Sequence, residues 1–326
     1  MPLLLLDLDN TLIDRDGAFL GWADAFLGAH RLPQSELAWL ATIDGGGYVP
    51  RETVFRAAHA RYRLPGPVEE RVAEWGEEYR AAMVRLVHCP EANREALRAA
   101  RRAGWTLGIV TNGLTEHQWQ KIEAVGLADL VDGCVVSEEA GREKPDPEIF
   151  RLAAQRCGVT TGAPGGASPG DAGAWSGPAA GADGAHDAGG ARDAGGLPTA
   201  FPSAREPGRA AARLAAQPSV PPGPGWDHRP ARGSAGPVAA AEAWTAETWM
   251  VGDHASADIA GADVAGLRSV WLHHGRPWPY LHYRPTLTAS DLPEAVARVL
   301  ASAPAAASHP EEAPAAPRAL AHCPRR

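Results

Sequence analysis

The stretch LLLLDLDNT, residues 3–11, decides the fold because it joins four consecutive leucines directly to two aspartates. An apolar run without alternating polar residues is typical of a parallel strand that is covered on both faces. We therefore predict a strand over Leu3–Leu8. Side chains two residues apart on a strand point to the same side, so Asp7 and Asp9 are expected to face one pocket.

Four further apolar runs have the same character and are predicted to be buried strands: Trp105–Val110, Gly133–Val136, Glu247–Val251 and Arg268–His273. Helical patterns that end at a glycine separate several of these runs: Glu91–Ala103, Glu116–Val125 and Pro147–Cys157. Alternating strands and helices predict an α/β fold with a doubly wound, Rossmann-like parallel sheet.

Residues 15–88 interrupt this alternation with a pattern that is almost entirely helical. Large apolar side chains recur at helical spacing, beginning with Phe19, Trp22 and Phe26. We predict a small all-helical cap domain inserted directly after the first strand. The stretch DGGGYVPR, Asp44–Arg51, is predicted to be a flexible loop within this cap.

Two other segments have compositions that predict disorder. Of the 80 residues from 161 to 240, 51 are Gly, Ala or Pro, so few large apolar side chains are left to offset the entropy of ordering the chain. We predict a long disordered insertion over residues 161–244 and a disordered tail over residues 301–326. The α/β core is then assigned to residues 1–14, 89–160 and 245–300.

Composition limits the classes of partner. The formal net charge is −8, with 39 acidic residues against 31 Lys and Arg, which disfavours nucleic-acid binding. The four cysteines have no C-x-x-C spacing, which indicates a reduced compartment. No run reaches the roughly 18 to 20 apolar residues of a membrane helix. We expect a cytoplasmic protein, monomeric or homodimeric, with no membrane partner.

Polar groups follow the predicted strands at positions where a parallel sheet binds ligands. The second strand runs into Thr111 and Asn112, Lys144 precedes a predicted helix, and Gly252-Asp253 follows a later strand with Asp258 five residues beyond. Each of these alone is typical of a helix cap or a turn. Together they are different, because adjoining carboxylates repel one another unless a cation joins them, and all-oxygen ligands favour Mg²⁺. Hydroxyl, backbone N–H and ammonium donors suit phosphate oxygens.

In this order the four motifs resemble those of the haloacid dehalogenase (HAD) superfamily of hydrolases. The resemblance covers roughly residues 3–158 and 245–300, and it is closest to the phosphatase-like branch that carries a helical cap after the first motif. It implies a Mg²⁺-dependent phosphatase that acts on a small phosphorylated metabolite through an aspartyl-phosphate intermediate.

The resemblance also implies roles for individual residues. These are Asp7 as nucleophile and metal ligand; Asp9 as general acid and base, with its main-chain carbonyl on the metal; Thr111 and Lys144 as ligands of the phosphoryl oxygens, assisted by the backbone of Asn112; Asp253 as a further Mg²⁺ ligand; and Asp258 as a supporting residue that orients Lys144 or metal-bound water.

Two further predictions and one feature of the composition concern the surroundings of this site. Asp9 must be protonated to help the leaving alcohol depart, so its pKa is expected to differ from that of Asp7. The only lysines of the chain are Lys121 and Lys144. In the cap, Tyr48 and Arg51 are candidate specificity residues, although Arg51 is equally consistent with a solvated residue at a helix start.

Alternative functions stay open at this stage. One is a phosphomutase of the same superfamily, which needs a cap acid or base poised over the phosphoenzyme. Another is a non-catalytic phospho-acceptor or binding protein, since receiver domains also combine acids, a Thr and a Lys around Mg²⁺. Receivers place the phosphorylated Asp after the third strand, whereas the third predicted strand here ends at Val136 and Ser137.

Overall fold

The computed structural model describes residues 1–161, 244–279 and 281–302. The predicted disordered insertion and tail lie almost entirely outside the described residues. At the two borders of the insertion, however, Thr161 and Trp244 are buried, and Trp244 packs into a hydrophobic cluster of the core. The packed chain thus reaches one residue further on each side than the sequence predicted.

The described residues contain strands and helices in alternation. The strands are β1 Leu3–Leu6, β2 Thr106–Thr111, β3 Gly133–Val136, β4 Thr248–Gly252, β5 Arg268–Leu272 and β6 Leu287–Ala289. The helices are α1 Arg15–Ala29, α2 Leu37–Asp44, α3 Arg51–Tyr62, α4 Val68–Leu86, α5 Glu91–Arg102, α6 Thr115–Ala124, α7 Ser137–Ala140, α8 Pro147–Arg156, α9 Ala260–Val264 and α10 Leu292–Ser302. None of the helices in these ranges has the length and apolarity needed to cross a bilayer.

The strands form one parallel sheet in the order β3-β2-β1-β4-β5-β6. The predicted doubly wound α/β fold is therefore confirmed. The first strand is shorter than predicted and ends at Leu6, because the chain turns immediately afterwards and the amides of Leu12 and Ile13 donate to the Leu8 carbonyl. The strand β6 was not predicted, since its three residues contain no buried apolar run.

The central strand β1 is buried on both faces, as its composition predicts. Its four leucines are at most 1% exposed. Leu4 and Leu6 belong to the cluster that includes α5 and α10, whereas Leu3 and Leu5 pack with α8 and α9. Burying one such side chain contributes about 1.5–3 kcal/mol. This burial fixes where the chain leaves the sheet, which is at Asp7.

Four helices, α1 to α4, lie between β1 and α5 in the chain. Their interior is aromatic: the rings of Trp22 and Tyr79 meet edge to face with centroids 5.3 Å apart, and those of Phe26 and Trp75 have the same geometry and spacing. Between α2 and α3 the chain makes a short 3₁₀ turn at Gly45–Gly47, where all three residues have positive φ and glycine is therefore required. That the helices form a separate cap domain stays a prediction.

Candidate active site

The predicted site residues lie at the carboxyl edge of the sheet. Asp7 follows β1 directly and its amide donates to the Val251 carbonyl at 2.9 Å, which extends the pairing of β1 with β4 by one residue. Thr111 is the last residue of β2, and Asp253 follows β4. Because β1 lies between β2 and β4, these side chains converge on one point of the edge.

Lys144 connects two of the acids. Its Nζ lies 2.6 Å from Oδ1 of Asp7 and 2.7 Å from Oδ1 of Asp258, and all three side chains are at most 6% exposed. Burial alone would lower the pKa of Lys144, but Asp258 and Asp7 outweigh it and raise the pKa above its ordinary value. Lys144 is therefore a fixed positive charge beside Asp7.

Three buried aspartates lie close together at this edge, and two of them have a carboxylate oxygen without a hydrogen-bond partner among the described residues. Carboxylate oxygens of Asp7, Asp253 and Asp258 lie within 4.8 Å of one another, and all three residues are buried. Oδ2 of Asp7 and Oδ1 of Asp253 are buried and have no hydrogen-bond partner within the described residues. Burial raises the pKa of Asp7 against the effect of Lys144, and burial with Asp258 raises the pKa of Asp253 to about 7 despite Arg276. These orphaned oxygens fit a hard divalent cation.

Asn112 holds the loop that carries Lys144. Its Oδ1 accepts from the Lys144 amide at 2.9 Å, and its Nδ2 donates to the Lys144 carbonyl at 3.1 Å. The role predicted for Asn112 uses its backbone to bind phosphate. The structure shows a second role, in which the Asn112 side chain holds the backbone of Lys144. The hydroxyl of Thr111 lies nearby and accepts from Nε2 of Gln118 at 2.6 Å.

The carboxylate of Asp9 is held by two residues of α6. Lys121 Nζ lies 2.9 and 3.0 Å from its two oxygens, and Gln118 Nε2 donates to Oδ2 at 3.1 Å. Burial would raise the pKa of Asp9, but Lys121 and Gln118 outweigh burial and lower it. The predicted role of Asp9 as general acid and base stays a prediction. Sequence reasoning missed both partners, although the rarity of lysine was a signal for Lys121.

The loop after β4 is fixed by Asp258, which the sequence predicted as a supporting residue, and by Arg276, which it did not predict. Arg276 donates to Oδ2 of Asp253 at 3.1 Å and to its carbonyl at 2.9 Å. Oδ2 of Asp258 accepts from the amide of His254 at 2.9 Å. A Cβ on Gly252 would lie 2.2 Å from this carboxylate oxygen, so Gly252 gives Asp258 room beneath the strand. Asp258 therefore supports both Lys144 and this loop.

A buried ion network ties down the Gly45–Gly47 turn. Arg15 and Arg51 both pair with Asp44, and Arg15 Nη2 donates to Asp44 Oδ1 at 2.8 Å and to the Tyr79 hydroxyl at 2.9 Å. The side chains of Arg15 and Asp44 are 3% and 2% exposed. Arg51 begins α3 and is paired with an acid, so it is not a solvated residue. Its role as a specificity residue stays a prediction. The turn that the sequence predicted to be flexible is anchored at Asp44.

Tyr48, which follows this turn, contacts the loop after β4. Its ring stacks on the imidazole of His254, with centroids 3.6 Å apart and planes at 23°. His254 follows Asp253 directly, so the stack joins the segment between α2 and α3 to the loop that carries the acids.

A cavity of about 240 Å³ lies between these two parts of the molecule. Its floor contains Asp7, Asp9, Thr111 and Lys144. The lining from helices α1 to α4 and the intervening turn consists of Arg15, Gly46, Gly47, Tyr48, Arg51, Tyr79 and Arg80. His117 of α6 also lines the cavity, and burial lowers its pKa to about 4, with Lys121 adding to the effect. The site is therefore a small cavity lined by charged, polar and aromatic side chains.

Comparison with known proteins identifies the family. A haloacid dehalogenase-like hydrolase model matches residues 1–165, and a HAD-hydrolase-like model matches residues 227–298. The phosphoserine phosphatase of Thermus thermophilus is 31% identical over 199 residues, which cover 49% of this chain and 77% of that protein. The glyceraldehyde 3-phosphate phosphatase of Methanopyrus kandleri is 48% identical over 59 residues, but these cover only 18% of this chain and 25% of the relative.

A solved structure agrees on the fold. The magnesium-bound HAD-hydrolase YfnB of Bacillus subtilis aligns with a TM-score of 0.55 over 92% of this chain and 98% of that chain, at 17% identity. The chain belongs to the haloacid dehalogenase-like hydrolase family and is an enzyme of the phosphatase type.

Proposed function

We propose that the chain is a Mg²⁺-dependent phosphomonoesterase that cleaves a small phosphorylated metabolite through a phosphoryl group carried on Asp7. One observation carries this proposal: the Asp7 carboxylate is held through one oxygen by Lys144, while its other oxygen is buried without a partner among the described residues. A carboxylate kept in this way beside further acids suits a nucleophile at a cation site better than a structural ion pair does.

The residues divide the first step between them. Asp7 attacks phosphorus, and the bond from phosphorus to the ester oxygen breaks as the new acyl-phosphate bond forms. Lys144 and the Thr111 hydroxyl bind the phosphoryl oxygens and offset their charge. Asp7 and Asp253, with the main-chain carbonyl of Asp9, would hold Mg²⁺, which when bound supplies charge neutralisation for an anion approaching an acid.

Asp9 handles the proton in both steps. The cycle starts from the protonated form of Asp9, which gives its proton to the leaving oxygen when the ester bond breaks and later takes one from the water that attacks the phosphoryl group on Asp7. The second step releases inorganic phosphate and returns both carboxyl groups to their starting forms. The location of Asp9 on the same cavity wall as Asp7 supports this assignment.

The cap side of the cavity favours a hydrolase over a phosphomutase. A mutase needs an acid or base from the cap above the phosphoenzyme, and the described lining from α1 to α4 contains no carboxylate or imidazole. Two acids pair with Arg15 of this lining: Asp44, which is buried and paired with two arginines, and Asp16, whose side chain is 56% exposed. The cavity volume of about 240 Å³ supports a substrate of metabolite size.

The test is phosphate release from a panel of phosphate esters with MgCl2. The panel includes phosphoserine and glyceraldehyde 3-phosphate, because relatives of this chain are phosphatases for these compounds. We expect multiple turnovers for at least one ester and none for Asp7→Asn. The matched control is Asp24→Asn, which makes the same change at an exposed position on α1. Turnover by Asp7→Asn would refute the nucleophile assignment, and one phosphate per chain without turnover would indicate a phospho-acceptor.

A further inference from the structure

The side chain of Asp9 needs an external support to act as proposed. Asp9 lies three residues beyond the end of β1, and its side chain is 27% exposed, so neither the sheet nor burial fixes its orientation. A general acid has to stay within hydrogen-bond reach of the atom it protonates. A carboxylate that rotates freely would meet that condition only part of the time.

Lys121 has the geometry of such a support. Its ammonium contacts both oxygens of Asp9, and its side chain is 5% exposed, so the pair differs from a screened surface ion pair. Burying an ammonium is unfavourable unless an acid compensates it. Within the described residues, Asp9 is the acid with which Lys121 forms an ion pair. The two lysines of the chain thus each bind one of the two acids that follow β1.

Gln118 links the same carboxylate to the phosphate-binding hydroxyl. Its Nε2 lies 3.1 Å from Asp9 Oδ2 and 2.6 Å from Thr111 Oγ1, and the residue is 2% exposed. Gly113 leaves room for it, because a Cβ there would lie 3.1 Å from Cγ of Gln118. One amide group therefore couples the position of the proton donor to the position of Thr111.

Both supports come from one short segment. Gln118 and Lys121 are three residues apart on α6, which places them on one face of the helix. The helix begins four residues after Thr111, so the stretch 111–121 carries the hydroxyl and both ligands of Asp9.

We propose that Lys121 and Gln118 are positioning residues that hold the Asp9 carboxylate in the orientation for proton transfer. This inference rests on the proposed function, because it assigns the support to the acid of that reaction. Neither residue exchanges a proton with substrate. Their removal is expected to impair leaving-group protonation while phosphate binding and attack by Asp7 continue.

Kinetics with matched esters separate positioning from general structural damage. The probes are phenyl phosphate and p-nitrophenyl phosphate, which are similar in shape, but only the second has a leaving group that departs readily without a proton. We expect Lys121→Met to lower the rate of phenol release in the first turnover of phenyl phosphate by about 100-fold, within the range of general acid catalysis, and to leave KM within about 2-fold. For p-nitrophenyl phosphate the loss in the first-turnover rate of p-nitrophenol release is expected to be below about 5-fold, because this release precedes the step in which Asp9 acts on water.

Further variants make the assignment specific. Gln118→Leu should show the same selectivity with a smaller loss, and Lys121→Arg should recover most of the first-turnover rate because its guanidinium also donates to two carboxylate oxygens. Asp9→Asn should reproduce the selective loss, and Asp9→Asn with Lys121→Met should be no slower than Asp9→Asn alone. Gln120→Met places the same methionine at the exposed neighbouring position of α6 and should behave as wild type.

Several results would overturn the proposal. Equal losses of the first-turnover rate for the two esters, additive losses in the double variant, or a rise in KM at a constant first-turnover rate would each mean that Lys121 does not act through Asp9. A wild type that is inactive on these two esters and on the whole panel of phosphate esters would instead refute the proposed function. Crystal structures test the positioning independently of activity: Asp9 should have one orientation in wild type and lose it in Lys121→Met, and an unchanged orientation would reject the inference.

Discussion

Replacing Asp44 with alanine should destabilise the protein strongly, because this acid compensates a buried guanidinium. The side chains of Asp44 and Arg15 are 2% and 3% exposed, and removing one partner of such a pair destabilises a protein by about 3–5 kcal/mol. Arg15 keeps its contact with the Tyr79 hydroxyl and its pair with Asp16, whose side chain is 56% exposed. A pair with so exposed a partner is worth about 0–1 kcal/mol, so we expect a loss near the lower limit, about 3 kcal/mol.

Two companion variants show whether the uncompensated charge is responsible. Asp44→Asn keeps the shape and one acceptor, so its loss should be smaller, about 1.5–3 kcal/mol for hydrogen bonds to charged groups. Replacing Asp44 and Arg15 together, Asp44→Leu with Arg15→Met, removes both fully buried charges. The remaining partner, Arg51, has a side chain that is 22% exposed, so the stability should return to within about 1 kcal/mol of wild type. This rescue is the most specific expectation, since loss of packing alone would make the double variant worse.

The assay is urea unfolding, followed by circular dichroism and by native-state hydrogen exchange. Exchange separates α1 and α4 from the strands β1 and β4, which matters because helices and sheet need not unfold in one transition. We expect the loss of protection to be concentrated in α1 and α4. A cost below about 1 kcal/mol for Asp44→Ala, or a double variant no more stable than it, would refute the reasoning.

Three further predictions follow from the site. First, Mg²⁺ should raise the melting temperature of wild type, by the equivalent of about 2.7 kcal/mol at 100 times its Kd, and should not raise that of Asp253→Asn. This variant should stay folded, because burial already favours the neutral form of Asp253. Equal shifts in both proteins would exclude Asp253 as a ligand. Second, Tyr48→Ala should raise KM by about 2- to 10-fold, equivalent to an aromatic contact of 0.5–1.5 kcal/mol, while Tyr48→Phe keeps the stack and should not. Third, the His117 ring should titrate near pH 4 by NMR. The pKa of His117 in the folded protein lies below the unfolded value of 6.5, so the stability that His117 contributes is complete above pH 6.5 and is lost as the pH falls toward 4. The stability difference between wild type and His117→Gln should therefore change between pH 6.5 and pH 4.

The order of the core and the placement of the acids could be predicted because both depend on local patterns. Four leucines in β1 indicate burial on both faces, and a strand buried in this way delivers Asp7 to the sheet edge wherever the rest of the chain goes. The strand β6 could not be predicted, because its three residues, of which only Ala289 is buried, have no distinctive pattern. Its position depends on pairing with β5, which is a tertiary contact.

The ligands of Asp9 show why part of the site could not be predicted. Lys121 and Asp9 are 112 residues apart in the chain, so no spacing or periodicity connects them. The scarcity of lysine marked Lys121 as unusual but did not say which acid it binds. The lowering of the Asp9 pKa by Lys121 was also unpredictable, because the sequence does not indicate that a cation lies beside Asp9. The role of Asp44 was missed for a similar reason, because its partner Arg15 lies 29 residues away and the sequence shows Asp44 only as the first residue of a glycine-rich loop.

The relative strengths of two contacts determine where the cavity should open. The turn Gly45–Gly47 is held at one end by the buried pairs of Asp44, whose loss costs about 3 kcal/mol, and at the other by the stack of Tyr48 on His254, worth about 0.5–1.5 kcal/mol. At a factor of ten per 1.4 kcal/mol, a contact worth about 1 kcal/mol is open roughly one sixth of the time, whereas a contact worth about 3 kcal/mol is open less than about 1% of the time. We therefore expect substrate to enter by separation of Tyr48 from His254, with the three glycines acting as the hinge and Asp44 as the fixed point. The same difference explains why substitution of Tyr48 should change KM, whereas substitution of Asp44 should change stability first.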